Sequence, residues 1–268
     1  MGPEMSHIHI PDGILPLWLV ALGWVIIVGW IALATKMASA EELRRRVPLV
    51  GAMAALMLVG MTTEIIPIAY HVNLTVLAGI LLGPWLSVIT ALVVNVMLAL
   101  VGHGGTTVIG LNSVVIALEM VVGWALFGQL VRLLGRRRAG MSAAIATVLA
   151  LALSTTLLVA IVAAGGAPAT GRESGAFDPT TLSFHNPFGG GVVANVIATK
   201  EQPAAVPVLS VTRFATMVYA LGSIGWLLEA LIIAQIVGFI ARVRPGLVFE
   251  GAPAQPVRAP LGDEGVHH

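Results

Sequence analysis

The sequence predicts an all-α, polytopic membrane protein of about seven transmembrane helices, with its N-terminus outside and its C-terminus in the cytoplasm. Three observations carry that prediction. Of 268 residues, 57% are hydrophobic and only 10% are charged. Soluble domains carry about 25% charge, so this chain has too few charges to cover a surface in water. Six long apolar runs follow one another, near 14–34, 48–69, 72–101, 108–134, 141–164 and 211–241. About 20 apolar residues cross 30 Å of hydrocarbon as a helix, and lipid offers no partner to unpaired backbone groups. Third, arginines cluster at particular run ends, which sets the orientation.

Residues 1–12 are polar, carry Pro3 and Pro11, and lack the basic start of a signal peptide. They read, with Gly13, as a separate N-terminal segment. The first helix is expected over Ile14–Ala34, followed by Arg44, Arg45 and Arg46. Run 48–69 gives the second. Run 72–101 decides the helix count. Taken as one helix, it would place Arg136, Arg137 and Arg138 outside, against the positive-inside rule. Broken at Gly83-Pro84 into two short helices, it makes every arginine cluster cytoplasmic. Proline lacks an N–H and glycine permits a sharp turn, so a break there is reasonable. Each half is short for a full span and needs tilt, local thinning or burial among neighbours.

Run 108–134 ends at the cluster of Arg132 and Arg136–Arg138, and run 141–164 leads into a long external loop, 165–209, rich in Gly and Pro. Run 211–241 is closed by Arg242 and Arg244. The transmembrane domain is thus 14–244, and residues 245–268, rich in Pro, Gly and charge, are expected to form a mobile cytoplasmic tail.

Net charge is +1, which gives no reason to expect nucleic-acid binding. Cysteine is absent, which removes thiolate metal sites and thiol nucleophiles. Chemistry therefore falls to histidine and carboxylate. Of seven histidines, His7, His9, His71, His103 and His185 all fall on the external side of this topology. Neutral imidazole suits Ni²⁺, Co²⁺, Cu²⁺ and Zn²⁺. In an extended segment the imidazoles of His7-Ile8-His9 point one way, and the peptide N–H between them can deprotonate onto a metal. His185, His267 and His268 read as solvated loop and tail residues. Glu64, Glu119 and Glu229 lie inside apolar runs, where an ionisable group is costly and a functional candidate by default. They leave open a channel or secondary transporter. An intramembrane metalloenzyme is the other alternative, although no H-E-x-x-H motif is present.

A family resemblance enters through four motifs in order. His9-Ile10-Pro11-Asp12-Gly13 with Leu15-Pro16 resembles the start of the CbiM/NikM proteins, the substrate-binding components of cobalt and nickel energy-coupling factor transporters. His71 followed by Ile80-Leu81-Leu82-Gly83-Pro84-Trp85 is similar to a family histidine spaced from an LGPW stretch. Gly102-His103-Gly104-Gly105 resembles a segment that usually reads G-D-G-G, and Gly110-Leu111-Asn112 one that reads G-A-N. The resemblance spans residues 7–135.

It implies a seven-helix metal-capture subunit in the inner cell membrane with no fixed cofactor, carrying Ni²⁺ or Co²⁺ as substrate. In the family the ligands are the N-terminal amine, the backbone nitrogen and imidazole of the H-I-P-D-G histidine, and a second histidine. On this chain the imidazoles map to His9 and His71. Family members often begin one residue before the first of these, whereas eight residues precede His9. His7 is therefore the candidate to replace the amine, with Ile8 supplying backbone nitrogen. His103 stands in the place of the family's Asp and Glu64 in that of an Asn; with Asn112 they are candidates for a supporting or gating role. No G-x-x-x-x-G-K-[ST] motif occurs. ATP hydrolysis is then expected on partners: a CbiO-type ATPase pair, a CbiQ-type transmembrane coupling subunit and a small CbiN- or NikN-like subunit.

Overall fold

The computed structural model describes residues 15–38, 40–65, 70–101, 105–165 and 211–249. The N-terminal segment through Ile14, nearly all of the 165–209 loop and the tail beyond Phe249 lie outside these residues.

Helix α1 runs Leu17–Met37. It starts three residues later than the apolar run because Pro16 sits at its N-cap in extended geometry, φ −66° and ψ 148°. The Pro16 carbonyl then accepts the first helical N–H groups, from Leu19 at 3.0 Å and Val20 at 3.3 Å. Helix α2, Ala40–Thr62, starts well before its apolar run and carries Pro48 inside it. Arg44, Arg45 and Arg46 therefore belong to the opening turns of α2 and not to a connection.

The second helix also ends earlier than predicted. It stops at Thr62, and Glu64–Ile65 (β1) pairs antiparallel with Tyr70–His71 (β2). Pro67 lies between the two, where it cannot continue a helix and biases its predecessor toward extended backbone. The all-α prediction holds for the membrane core, with this two-residue ladder as a local exception.

Helix α3, Thr75–Leu100, is broken at Gly83, whose φ of 76° and ψ of 178° are not helical. The expected break at Gly83-Pro84 is present. Its first part, 75–82, is about 12 Å long at 1.5 Å per residue, far short of 30 Å of hydrocarbon. Burial resolves the problem, since every residue from 74 to 83 is buried. Breaking a helix inside a membrane strands carbonyls and N–H groups, which is tolerated only where protein satisfies them. Arg46 Nη1 donates to the Leu82 carbonyl at 3.4 Å. Ser87 Oγ donates to the Gly83 carbonyl at 2.6 Å. Pro84 has no N–H to satisfy.

Helix α4 spans Ile109–Leu134, a 3-10 turn follows at Arg136–Arg138, and α5 spans Ala139–Ala164. Helix α6 is Val211–Val243 and α7 is Pro245–Phe249. The last corrects the tail boundary. Residues 245–249 form a turn of helix with Val248 buried and the Phe249 ring 5.0 Å from the Arg136 guanidinium carbon.

Helix α3 is the central element, packed mainly on α4 and α2, while α5 lies between α4 and α6. The main core gathers Met53, Met57, Leu77, Val94, Met120, Phe127 and Ile233. A smaller cluster joins the start of α1 to α4 and the end of α5 through Leu19, Leu111 and Leu158. Large apolar side chains such as Val25, Leu133, Leu227 and Phe239 point outward, where lipid takes the place of water. Among the described residues, six helices are long and apolar enough to cross a membrane; the break in α3 raises the count of helical segments in the core to seven.

Candidate metal site

His71 is the one histidine among the described residues, and the fold withdraws it from solvent: only 2% of its surface is exposed. It closes strand β2 and leads through Val72, Asn73 and Leu74 into α3. Several contacts fix this short segment. On one side, the β pairing sets His71 directly opposite Glu64. In a continuous helix Glu64 would lie about two turns before His71. Ending α2 at Thr62 instead makes the two residues cross-strand neighbours along the backbone.

On a second side, α2 approaches through Gly60. A Cβ there would overlap the Val72 carbonyl oxygen, so only glycine lets the helix and the segment meet this closely. On a third side lies α6. Glu229, fully buried, accepts the Leu74 N–H at 3.0 Å on Oε1 and the Asn73 N–H at 3.4 Å on Oε2. Leu74 itself adopts a left-handed conformation, φ 56° and ψ 16°. A non-glycine residue there costs about 1–3 kcal/mol and persists only where its surroundings over-determine it. Two hydrogen bonds to one carboxylate and a buried Leu74 side chain supply that constraint.

One residue on, a second buried carboxylate ties three helices together. Glu119 on α4 accepts from Thr75 Oγ1 on α3 through one oxygen, and from Ser154 Oγ on α5 at 2.6 Å through the other. Asn112, 3% exposed, is buried near the start of α4.

Of the predicted site residues, the structure thus describes His71 and Asn112 in full and the backbone of Glu64. His7, Ile8, His9 and His103 lie outside the described residues. Among the described residues, no cluster of three or more His, Cys, Asp or Glu side chains gathers around one point. The described part of the fold therefore offers His71 as a single buried imidazole.

Sequence reasoning found Glu119 and Glu229 but not their partners. Thr75 and Ser154 read as ordinary small polar residues in apolar helices, and nothing local pairs them with an acid 44 or 35 residues away. The N–H groups of residues 73 and 74 carry no sequence signal at all. Asn73 would be the natural N-cap by residue type, yet the N-cap is Leu74 and no side-chain cap bond forms. Glu229 accepts instead from the N–H groups of residues 73 and 74, at the entry to the helix.

Comparison with known proteins places the fold. Two solved structures share the fold, both at 19% sequence identity. One is described as a truncated transition metal transporter (TM-score 0.61, covering 88% of this chain and 99% of that one). The other is described as a transition metal transporter (TM-score 0.62, covering 88% and 93%). No curated protein matches. The family model for CbiM, described as the cobalt uptake substrate-specific transmembrane region, matches residues 9–247, a span that takes in His9, His71, Glu119 and Glu229. The chain belongs to the CbiM family.

Proposed function

We propose that this protein is the substrate-capture subunit of an ATP-driven, energy-coupling factor uptake system for Ni²⁺ or Co²⁺ in the inner cell membrane. The observation that carries the reading is His71. A single imidazole, sequestered from water and fixed by strand pairing to β1, lies at the mouth of a broken, buried helix in a chain of the cobalt-uptake family. Its partners in ligation are His9 and His7 with backbone nitrogen from Ile8, brought to it by the N-terminal segment. His103, Glu64 and Asn112 support or gate the approach. The external ion exchanges water for nitrogen donors. Release follows when a second conformation binds it less tightly, since a ligand shifts an equilibrium only through differential affinity.

A CbiO-type ATPase pair, a CbiQ-type coupling subunit and a CbiN- or NikN-like protein complete the system. The arginines of α2, of the 136–138 turn and of the end of α6 then face the cytoplasm. Glu119 and Glu229, which a channel or secondary transporter would use for conduction, have packing partners instead.

Calorimetry in detergent tests the proposal. His71→Ala and His9→Ala should each lose most Ni²⁺ and Co²⁺ binding, and His267→Ala should lose none. Affinity should also fall as pH drops, because proton and metal compete for the same imidazole lone pair. Wild-type affinity in both site variants would refute the assignment.

A further inference from the structure

His71 is followed two residues later by a turn that does not hold its shape unaided. Leu74 is left-handed without being glycine. What holds it is a carboxylate from far along the chain: Glu229 on α6 lies 155 residues beyond Leu74. Its two oxygens meet two successive backbone N–H groups, of Asn73 and Leu74, at 3.4 and 3.0 Å. These N–H groups open α3, where the helix dipole is positive and an anion is favoured. A carboxylate is acceptor-only at both oxygens, so it matches the pair. A carboxamide of the same size would turn an NH₂ donor toward one of the two N–H groups.

Other supports of the segment include the buried Val72 and Leu74 side chains and two backbone contacts. Strand pairing holds His71 against Glu64, and Gly60 seats the Val72 carbonyl against α2. Glu229 joins this segment to α6 through two hydrogen bonds. It is fully buried in an apolar bundle, where an ionisable residue needs a reason to stay.

We propose that Glu229 is a positioning residue for metal capture. By holding Asn73 and Leu74 it sets the direction of the His71 imidazole without touching the ion. The inference rests on the reading of His71 as a ligand. Outer-shell groups of this kind shift metal affinity about 10- to 100-fold when removed.

The test uses the full chain in detergent, titrated with NiCl₂ and with CoCl₂, the latter also followed by the Co²⁺ ligand-field absorption at saturation. Glu229→Gln should bind both ions about 10- to 100-fold more weakly and shift the saturated Co²⁺ band. Glu229→Asp, which keeps two acceptors on a shorter arm, should fall between Gln and wild type. Glu119→Gln removes the neighbouring buried carboxylate, which accepts from the Thr75 hydroxyl and not from the N–H groups of residues 73 and 74. It should leave affinity within about twofold, well short of an outer-shell effect, with the band unmoved.

Wild-type affinity and an unshifted band in Glu229→Gln would overturn the inference, and so would equal weakening in Glu119→Gln, which would mean general loosening of the bundle. If Glu229→Gln does not fold, Glu229→Asp decides, and wild-type values for both readouts in it are contradictory. His71→Ala, run alongside, separates the two levels. Retained binding there refutes the ligand assignment itself, whereas lost binding there with an intact Glu229→Gln refutes only the role of Glu229.

Discussion

Single polar residues in this bundle differ sharply in what they contribute, and their partners explain why. Ser154 donates to the Glu119 carboxylate. Ser142 is equally buried, yet its hydroxyl has no partner. Removing a hydroxyl that satisfies a buried carboxylate leaves an oxygen unpaired. Removing one that satisfies nothing relieves a group of its own cost. Hydrogen bonds between membrane helices average about 0.6 kcal/mol and reach about 1.7. Ser154→Ala is therefore expected to destabilise by about 0.5–2 kcal/mol, while Ser142→Ala is neutral or stabilising. Thermal unfolding of the two variants in the same detergent checks the contrast, and equal melting points would contradict it. At this scale the sequence marked the acids and the histidine, because ionisable groups stand out in an apolar run. It could not mark Thr75, Ser154 or the N–H groups of residues 73 and 74, since those are common groups given meaning by distant partners.

Among the elements, the break in α3 was the most legible feature. Gly83-Pro84 is a local signal, and the positive-inside rule demanded a reversal nearby. How the break survives in a membrane was not legible. The Leu82 carbonyl relies on Arg46, a residue 36 positions earlier that the sequence assigned only to charge balance. The ends of α2 were misjudged in both directions for a related reason. Helix propensity carried the arginines into the opening turns of α2, and the β1–β2 pairing takes over before the apolar run ends.

Gly83, at φ 76°, gives a direct test of the break. No heavy atom lies near its missing Cβ, so alanine meets backbone strain and no clash. Extended backbone at positive φ is essentially glycine's alone and costs another residue about 1–3 kcal/mol. Gly83→Ala should therefore lower stability by about that amount, whereas Gly128→Ala, in regular helix with open space around it, should not. An unchanged melting point for Gly83→Ala would mean that the break is not required by the fold.

For the molecule as a whole, composition alone was enough to name the solvent. With 10% charge and helices whose outward faces are apolar, the fold is stable only where lipid covers it. No G-x-x-x-x-G-K-[ST] motif occurs in the chain, and the proposed reading assigns energy supply to other subunits. Co²⁺ or Ni²⁺ accumulation in cells should accordingly depend on a co-expressed ATPase pair and stop when the ATPase is inactivated. Uptake that continued unchanged would point to a secondary transporter. In the proposed site the bundle supplies His71, and the histidines near the N-terminus, outside the described residues, are proposed to supply the rest.

X-ray absorption of the Ni²⁺-loaded protein reads that claim directly. The account predicts a nitrogen-rich shell with imidazole scattering from two rings, reduced by one ring in His71→Ala and in His9→Ala at metal concentrations high enough to load them. A shell of oxygen alone, or an imidazole signal that does not change when His71 is removed, would contradict it.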